Sequence, residues 1–318
     1  HRDLHSFPTR RSSDLEFNGG SDSIKLPGTY GDHIVFENLH MHNIGNVGIN
    51  LSSVGNVGYM EIRGCEIHNL GYAGTGEGMY LGTHGTQGNG TGILHDSVIE
   101  FNHVYDTGHG SQGDGIELKY ECYNLLVRDN VIHDTPYPGI LSHGTARSGS
   151  ADNNVLARNV IWNCGDNGIQ IHQTTTAFNN IVFNANRCIN VSQNTSNSGI
   201  LRDVLIFNNT FYGAGDRVAA FYVNGKTGIE ICNNLFYQPA PSGYAISFDS
   251  ASAGAVLSGN FYYGDTGNLP SIGFAEGPAP VAAFVNPTLT PGVVDFYLNG
   301  GTALIDAEIG RASCRERV

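Results

Sequence analysis

Lysine is nearly missing from this 318-residue chain: Lys25, Lys119 and Lys226 are the only three. Lys and Arg together number 16 against 29 Asp and Glu, a net charge of −13. That balance excludes nucleic-acid binding through a general basic surface. No apolar run is long enough to span a membrane. No stretch sustains the 3.6-residue periodicity of an amphipathic helix, which excludes a helical array. The six cysteines show no C-x-x-C spacing, so neither a zinc ribbon nor an ordered disulfide framework is expected. Cys65, Cys122, Cys164, Cys188 and Cys232 read instead as buried free thiols.

The two ends depart from the middle in composition. Residues 5–15 read HSFPTRRSSDL and residues 309–318 read IGRASCRERV. One oligonucleotide encodes both, since the reverse complement of a coding sequence for the first encodes the second in another frame. It resembles a sequencing adapter. Residues 1–15 and 308–318 are therefore read as translated artefacts, disordered and set aside as an expression tag would be. Residues 16–307 then hold ten basic residues against twenty-five acidic ones, a net charge of −15.

What the chain has in abundance is glycine, 43 residues, and short β-branched or aromatic runs between turn residues. The segments NVIHD (130–134), NVIWN (159–163), NNTFYG (208–213), NNLFYQ (233–238) and GNFYYG (259–264) are copies of one unit. Its anchor is an asparagine, at Asn102, Asn130, Asn159, Asn180, Asn209, Asn234 and Asn260. Leu39 and Cys65 take the anchor place in two earlier copies. The steps between asparagines vary from 21 to 29 residues. Variable loops around a fixed core are the mark of a stacked-strand repeat. Buried asparagine amides can hydrogen-bond from one copy to the next. Three residues after each anchor stands His42, His68, Tyr105, His133, Trp162, Phe183, Tyr212, Tyr237 or Tyr263, rings that can stack at a spacing of about 4.8 Å. This column reads as structural, its histidines included.

A second strand follows in each copy: GINLS (from Gly48), GMYLG (Gly78), GIELK (Gly115), GILSH (Gly139), GIQIH (Gly168), CINVS (Cys188), AFYVN (Ala220) and AISFD (Ala245). Alternation sends Ile49, Met79, Ile116, Ile140, Ile169, Ile189, Phe221 and Ile246 inward. Two outward columns remain, Asn50, Tyr80, Glu117, Leu141, Gln170, Asn190, Tyr222, Ser247 and Ser52, Gly82, Lys119, His143, His172, Ser192, Asn224, Asp249.

These repeats resemble those of the right-handed parallel β-helix superfamily that includes pectate lyases, over nearly all of residues 33–263. The resemblance implies an all-β, right-handed parallel β-helix solenoid of about nine rungs. The segment DFYLNGGTALIDA (295–307) resembles the stretch that closes the C-terminal end of such helices, so 264–307 is read as the closing segment. The chain begins in mid-coil, and an N-terminal truncation is expected.

Chemistry concentrates on the outward face of the second strand. Lys119, His143 and His172 occupy successive rungs, and Glu77 and Asp114 stack one position before their strands. Two carboxylates that close repel unless a proton or cation lies between them, and oxygen donors of this kind suit Ca²⁺. GDGIELK (113–119) resembles the stretch of β-helix polysaccharide lyases in which an acidic Ca²⁺ ligand precedes a catalytic lysine by five residues. GEGMYLG (76–82) resembles a companion motif one rung earlier. Where the alginate and chondroitin lyase branch carries Leu-Arg-His-Gly, this chain has Leu141-Ser142-His143-Gly144, with Arg147 as the substitute arginine.

The resemblance implies β-elimination from a uronate-containing, acidic polysaccharide. Asp114 and Glu77 would hold Ca²⁺, Lys119 would take the C5 proton, and His143 or His172 would protonate the leaving oxygen. Tyr80, Glu117, Arg147 and Gln170 would bind substrate. Such a protein is expected to be a monomer, and secreted, cell-surface or periplasmic. The alternatives are a glycoside hydrolase or C5-epimerase on the same scaffold, or a non-catalytic glycan-binding surface β-helix. In that last case Lys119, His143 and His172 are polar residues on a wet sheet face, and Glu77 and Asp114 cap turns.

Overall fold

The computed structural model describes residues 15–28, 32–82, 92–109, 111–120, 122–143, 153–172, 174–194, 201–250, 255–289 and 295–299. Apart from Leu15, both terminal segments set aside above lie outside these residues, as does Arg147. The described chain coils into a parallel β-solenoid with three ladders of strands. The first ladder carries the strands that follow each anchor, among them His40–Ile44, Glu66–Leu70, His103–Tyr105, Val131–Thr135 and Val160–Cys164. The second carries Ile49–Val54, Met79–Leu81, Ile116–Leu118, Ile140–Ser142 and Asn167–Ile171. Ile181–Val191 and Thr210–Phe221 each run through both ladders without a break. The third ladder is nine strands deep from Val35–Glu37 to Ala255–Ser258, with Asn56–Gly58 paired beside it. Every pairing in the three ladders is parallel.

The anchor asparagines form one continuous hydrogen-bonded file. Each Nδ2 donates to the Oδ1 of the next, at 3.0 Å from Asn102 to Asn130 and onward at 2.9–3.0 Å to Asn260. Each Oδ1 also accepts the backbone N–H of the anchor before it. This satisfies main-chain groups at a bend that no sheet ladder reaches. The residue preceding each anchor is left-handed, as at Asp129, Asn179, Asn208 and Asn233, which turns the chain sharply into the first ladder.

The ring column stacks as the sequence implies from His42 through His68, Tyr105, His133 and Trp162 to Phe183, with centroids 4.2–5.7 Å apart. Burial pushes His68 and His133 below the ordinary imidazole pKa, which keeps these stacked rings neutral. Farther along, Phe284 and Phe296 pack edge-on or tilted against Tyr212, and Phe284 also against Tyr237. They belong to Phe284–Asn286 and Asp295–Leu298, an antiparallel pair.

Inside the coil, Ile49, Met79, Ile116, Ile140, Ile169 and Ile189 are fully buried and pair in register. The glycine that opens the second strand from Gly48 to Gly168 has a steric cause. A Cβ on Gly78 would sit 2.5 Å from Gly115 O, and one on Gly115 equally close to Gly139 O.

One register expectation fails. Ala219, not Phe221, pairs with Ile189 and Ile246, while Phe221 pairs with Val191 and Phe248. Phe221 still points inward, but Ala220 takes the place expected of Tyr222 between Asn190 and Ser247. Alternation leaves a shift of two residues invisible to the inside–outside pattern, and this rung carries an irregularity between Ala185 and Arg187. Cys65, Cys122, Cys164 and Cys188 are buried free thiols, as expected, and Cys232 is buried with them. No helix among the described residues is long and apolar enough to cross a membrane.

Candidate functional site

The second ladder sets Tyr80, Glu117, Leu141 and Gln170 in register, and His143 and His172 follow directly after the paired Ser142 and Ile171. Lys119 hangs from Leu81 O by its backbone N–H at 2.8 Å, and His143 from Leu118 O at 3.0 Å. These residues line a cleft of about 620 Å³ together with Glu77, Asp114, Tyr120 and Asn194.

The side chains are not on a wet face. Lys119 is 4% exposed, and His143 and His172 are 5%. Lys119 Nζ donates to Glu117 Oε1 and sits 4.0 Å from the centroid of the Tyr80 ring. His143 Nε2 lies 3.1 Å from the same Glu117 oxygen, and an ionised acceptor there requires the nitrogen to carry the hydrogen. Burial pushes the Glu117 carboxyl up, but hydrogen bonding and charge from His143 and Lys119 outweigh it, and the net shift is downward.

Glu77 and Asp114 behave in the opposite way. Burial raises the pKa of both, and the Glu117 charge adds to the rise. Thr75 Oγ1 donates to Glu77 Oε2. One oxygen of each acid, Glu77 Oε1, Asp114 Oδ1 and Glu117 Oε2, is buried without a hydrogen-bond partner among the described residues. The three acids offer ligand oxygens within 4.8 Å of one another. Such stranded carboxylate oxygens are costly unless a proton or cation serves them.

His172 stands apart from this network. Its Nδ1 lies 2.7 Å from Ser192 O and its Nε2 2.9 Å from Gln170 Nε2. Gln170 Oε1 in turn accepts from Asn167 Nδ2 at 2.7 Å. With Gln170 donating through its amide nitrogen, Nδ1 is a donor and Nε2 an acceptor, a neutral ring with both nitrogens engaged. Burial agrees, pushing its pKa down to about 4.

The sequence therefore places Glu77, Tyr80, Asp114, Glu117, Lys119, His143, Gln170 and His172 around one cleft, as the structure does. It gave Glu117 to substrate, whereas Glu117 joins Glu77 and Asp114 in one acidic trio. It missed Tyr120, whose ring lies 4.0 Å from that of His143, and Thr75. Thr75 was findable, because two residues before Glu77 is the same face of an extended chain.

The family described as a right handed beta helix region matches residues 13–205. The chain belongs to the right-handed β-helix family. No curated protein matches this β-helix by sequence. Solved structures similar to it include the Dettilon tailspike protein (gp208), with TM-score 0.51 and 16% identity over 81% of this chain and 54% of that one. The tailspike protein of E. coli bacteriophage HK620, in complex with pentasaccharide, gives 0.50 and 12% over 80% and 53%. An alginate lyase from Paenibacillus sp. str. FPU-7 gives 0.41 and 12% over 78% and 88%. This β-helix spans about half the length of the two tailspikes. At such identities the likeness to them is one of fold alone.

Proposed function

We propose that this protein is a Ca²⁺-dependent polysaccharide lyase that cleaves a uronate-containing polysaccharide by β-elimination. The observation that carries the reading is the convergence of three buried acids with stranded oxygens on a buried lysine and histidine in one cleft. Oxygens bound to one Ca²⁺ ion lie at most about 5 Å apart, twice a bond of about 2.3–2.6 Å. The three ligand oxygens lie within 4.8 Å of one another, inside that limit, and an all-oxygen donor set suits a hard cation. Glu77, Asp114 and Glu117 would hold the ion. When bound, it would neutralise the substrate carboxylate and acidify the proton at C5.

Lys119, in its neutral form, removes that proton. The C–H electron pair becomes the C4–C5 double bond, the C4–O bond breaks, and the leaving oxygen takes a proton from His143. His172 positions the wall of the cleft rather than donating, since both of its nitrogens are engaged. The Tyr80 ring, 4.0 Å from Lys119 Nζ, would stabilise the ammonium that forms once the proton is taken. An inverting hydrolase keeps its carboxyl groups about 6.5–9.5 Å apart to admit a water, whereas a retaining one keeps them about 5–5.5 Å apart, nearer the spacing of this trio.

The test is to incubate the protein with polygalacturonate, alginate and chondroitin sulfate, with Ca²⁺ or with chelator. Ultraviolet absorbance reports the unsaturated sugar that elimination alone makes. A rise that vanishes with chelator and in Lys119→Ala supports the proposal. New reducing ends without the ultraviolet product would replace it with hydrolysis. Neither signal from folded protein would sink it for these polymers.

A further inference from the structure

On the first ladder, a face separate from the cleft, Glu16–Asn18, His40–Ile44 and Glu66–Leu70 are neighbouring strands. Their register sets Glu16, His40 and Glu66 in one column and Asn18, His42 and His68 in the next. His40 Nε2 lies 3.0 Å from His68 Nε2 and 3.9 Å from Glu66 Oε2. Two imidazole nitrogens facing each other that closely need a shared proton between them, or a cation in its place. The other Glu66 oxygen, Oε1, accepts from Tyr105 OH at 3.0 Å, which fixes the carboxylate with Oε2 toward the histidines.

We propose that His40, His68 and Glu66 form a site for one transition-metal ion of the zinc class. A tetrahedral ion with bonds of about 2.1 Å holds its ligands about 3.4 Å apart. The observed 3.0 and 3.9 Å bracket that value, so closure needs movements of about half an ångström. Two imidazoles and one carboxylate suit Zn²⁺, Ni²⁺ or Cu²⁺, whereas the oxygen-only trio in the cleft suits a hard ion. The Tyr105 bond to Glu66 is the outer support that such ligands carry. The His40 and Glu66 side chains are 12% and 36% exposed, so an ion reaches them from solvent. Glu16, His40 and His42 form an overlapping group. There His42 is held at both nitrogens, by Glu16 Oε1 at 2.8 Å and Asn43 Nδ2 at 3.0 Å.

The site joins two adjacent rungs from outside, as the asparagine file does from inside.

Untagged protein, stripped of metal, is titrated with Co²⁺, whose visible absorption reports tetrahedral nitrogen–oxygen coordination. One equivalent is expected to bind and to be displaced by Zn²⁺. The band should vanish in His40→Ala and in His68→Phe, which keeps a ring between His42 and Tyr105. Glu66→Gln should weaken binding at least tenfold. The Glu77→Gln/Asp114→Asn double variant should retain the band, which separates this site from the cleft. Circular dichroism verifies that each variant is folded. No band in the wild type, a band surviving His40→Ala, or loss with Glu16→Gln but not Glu66→Gln overturns the assignment.

Discussion

Asn159→Ala tests the asparagine file where it is most enclosed. The Asn159 amide donates to Val127 O and Asn180 Oδ1, each at 3.0 Å. Its Oδ1 accepts from Asn130 N at 3.1 Å and Asn130 Nδ2 at 3.0 Å. Four bonds are lost. The neutral ones net about 1 kcal/mol each, and a buried group left unsatisfied costs about 1–3 kcal/mol. The Asn130 backbone N–H is the group with no substitute acceptor in this arrangement. The expected loss is about 3–5 kcal/mol, or a Tm lower by about 10 °C for a domain of this size. Thermal unfolding followed by circular dichroism measures it. Asn159→Asp should be nearly as damaging, because it keeps the shape but loses both donors. Asn163→Gly removes a half-buried amide that donates to Asp134 Oδ1 at 2.8 Å and accepts from Asn184 Nδ2 at the solvent-facing side of the bend, while suiting the left-handed backbone. It should move Tm by less than about 2 °C. A small shift for Asn159→Ala, or a tolerated Asn159→Asp, would refute the account by hydrogen bonds and leave packing as the cause.

Lys119→Ala should lower kcat/KM for elimination by at least about 10²-fold, the usual contribution of a positioned base, with folding checked by circular dichroism. Glu77 and Asp114 have raised pKa values in the folded state, so their protonated forms stabilise it, and that stability fades as pH rises above their ordinary values of 4.5 and 3.8. In chelator, the Glu77→Gln/Asp114→Asn variant should therefore gain Tm relative to wild type as pH rises above those ordinary values; a constant difference argues against stranded charge. His172 has a depressed pKa, so its contribution is full above 6.5 and is lost as pH falls toward about 4. Its imidazole resonances in an NMR titration should stay neutral until near pH 4, and a midpoint near 6.5 would contradict the fixed ring.

The solenoid was legible because its signals are periodic and redundant. An asparagine, a ring three residues later and a Gly-hydrophobic strand recur together, and each has a physical reason to recur. The gathering of Lys119, His143, Glu77 and Asp114 followed from register alone, since equivalent positions on adjacent rungs must be neighbours. What register cannot supply is direction and depth. It does not say that Glu117 turns between Lys119 and the acids, or that His172 is held by Ser192 O. The Phe221 rung shows the limit of alternation, for a slip of two preserves inside and outside. His40 and Glu66 escaped attention because the ring column two residues later already had a structural explanation.

The asparagine file also bears on how such a chain changes length. Each turn from Asn102 to Asn260 enters its bend in the same way, a left-handed residue followed by a buried amide. Excising residues 209–233 would join Asn208 to Asn234, and the new neighbours would meet the same donors and acceptors. Recombination between rungs of one gene therefore faces no junction to redesign. A lineage of this fold can gain or shed whole turns far from its cleft, so its overall length is a poor guide to its ancestry.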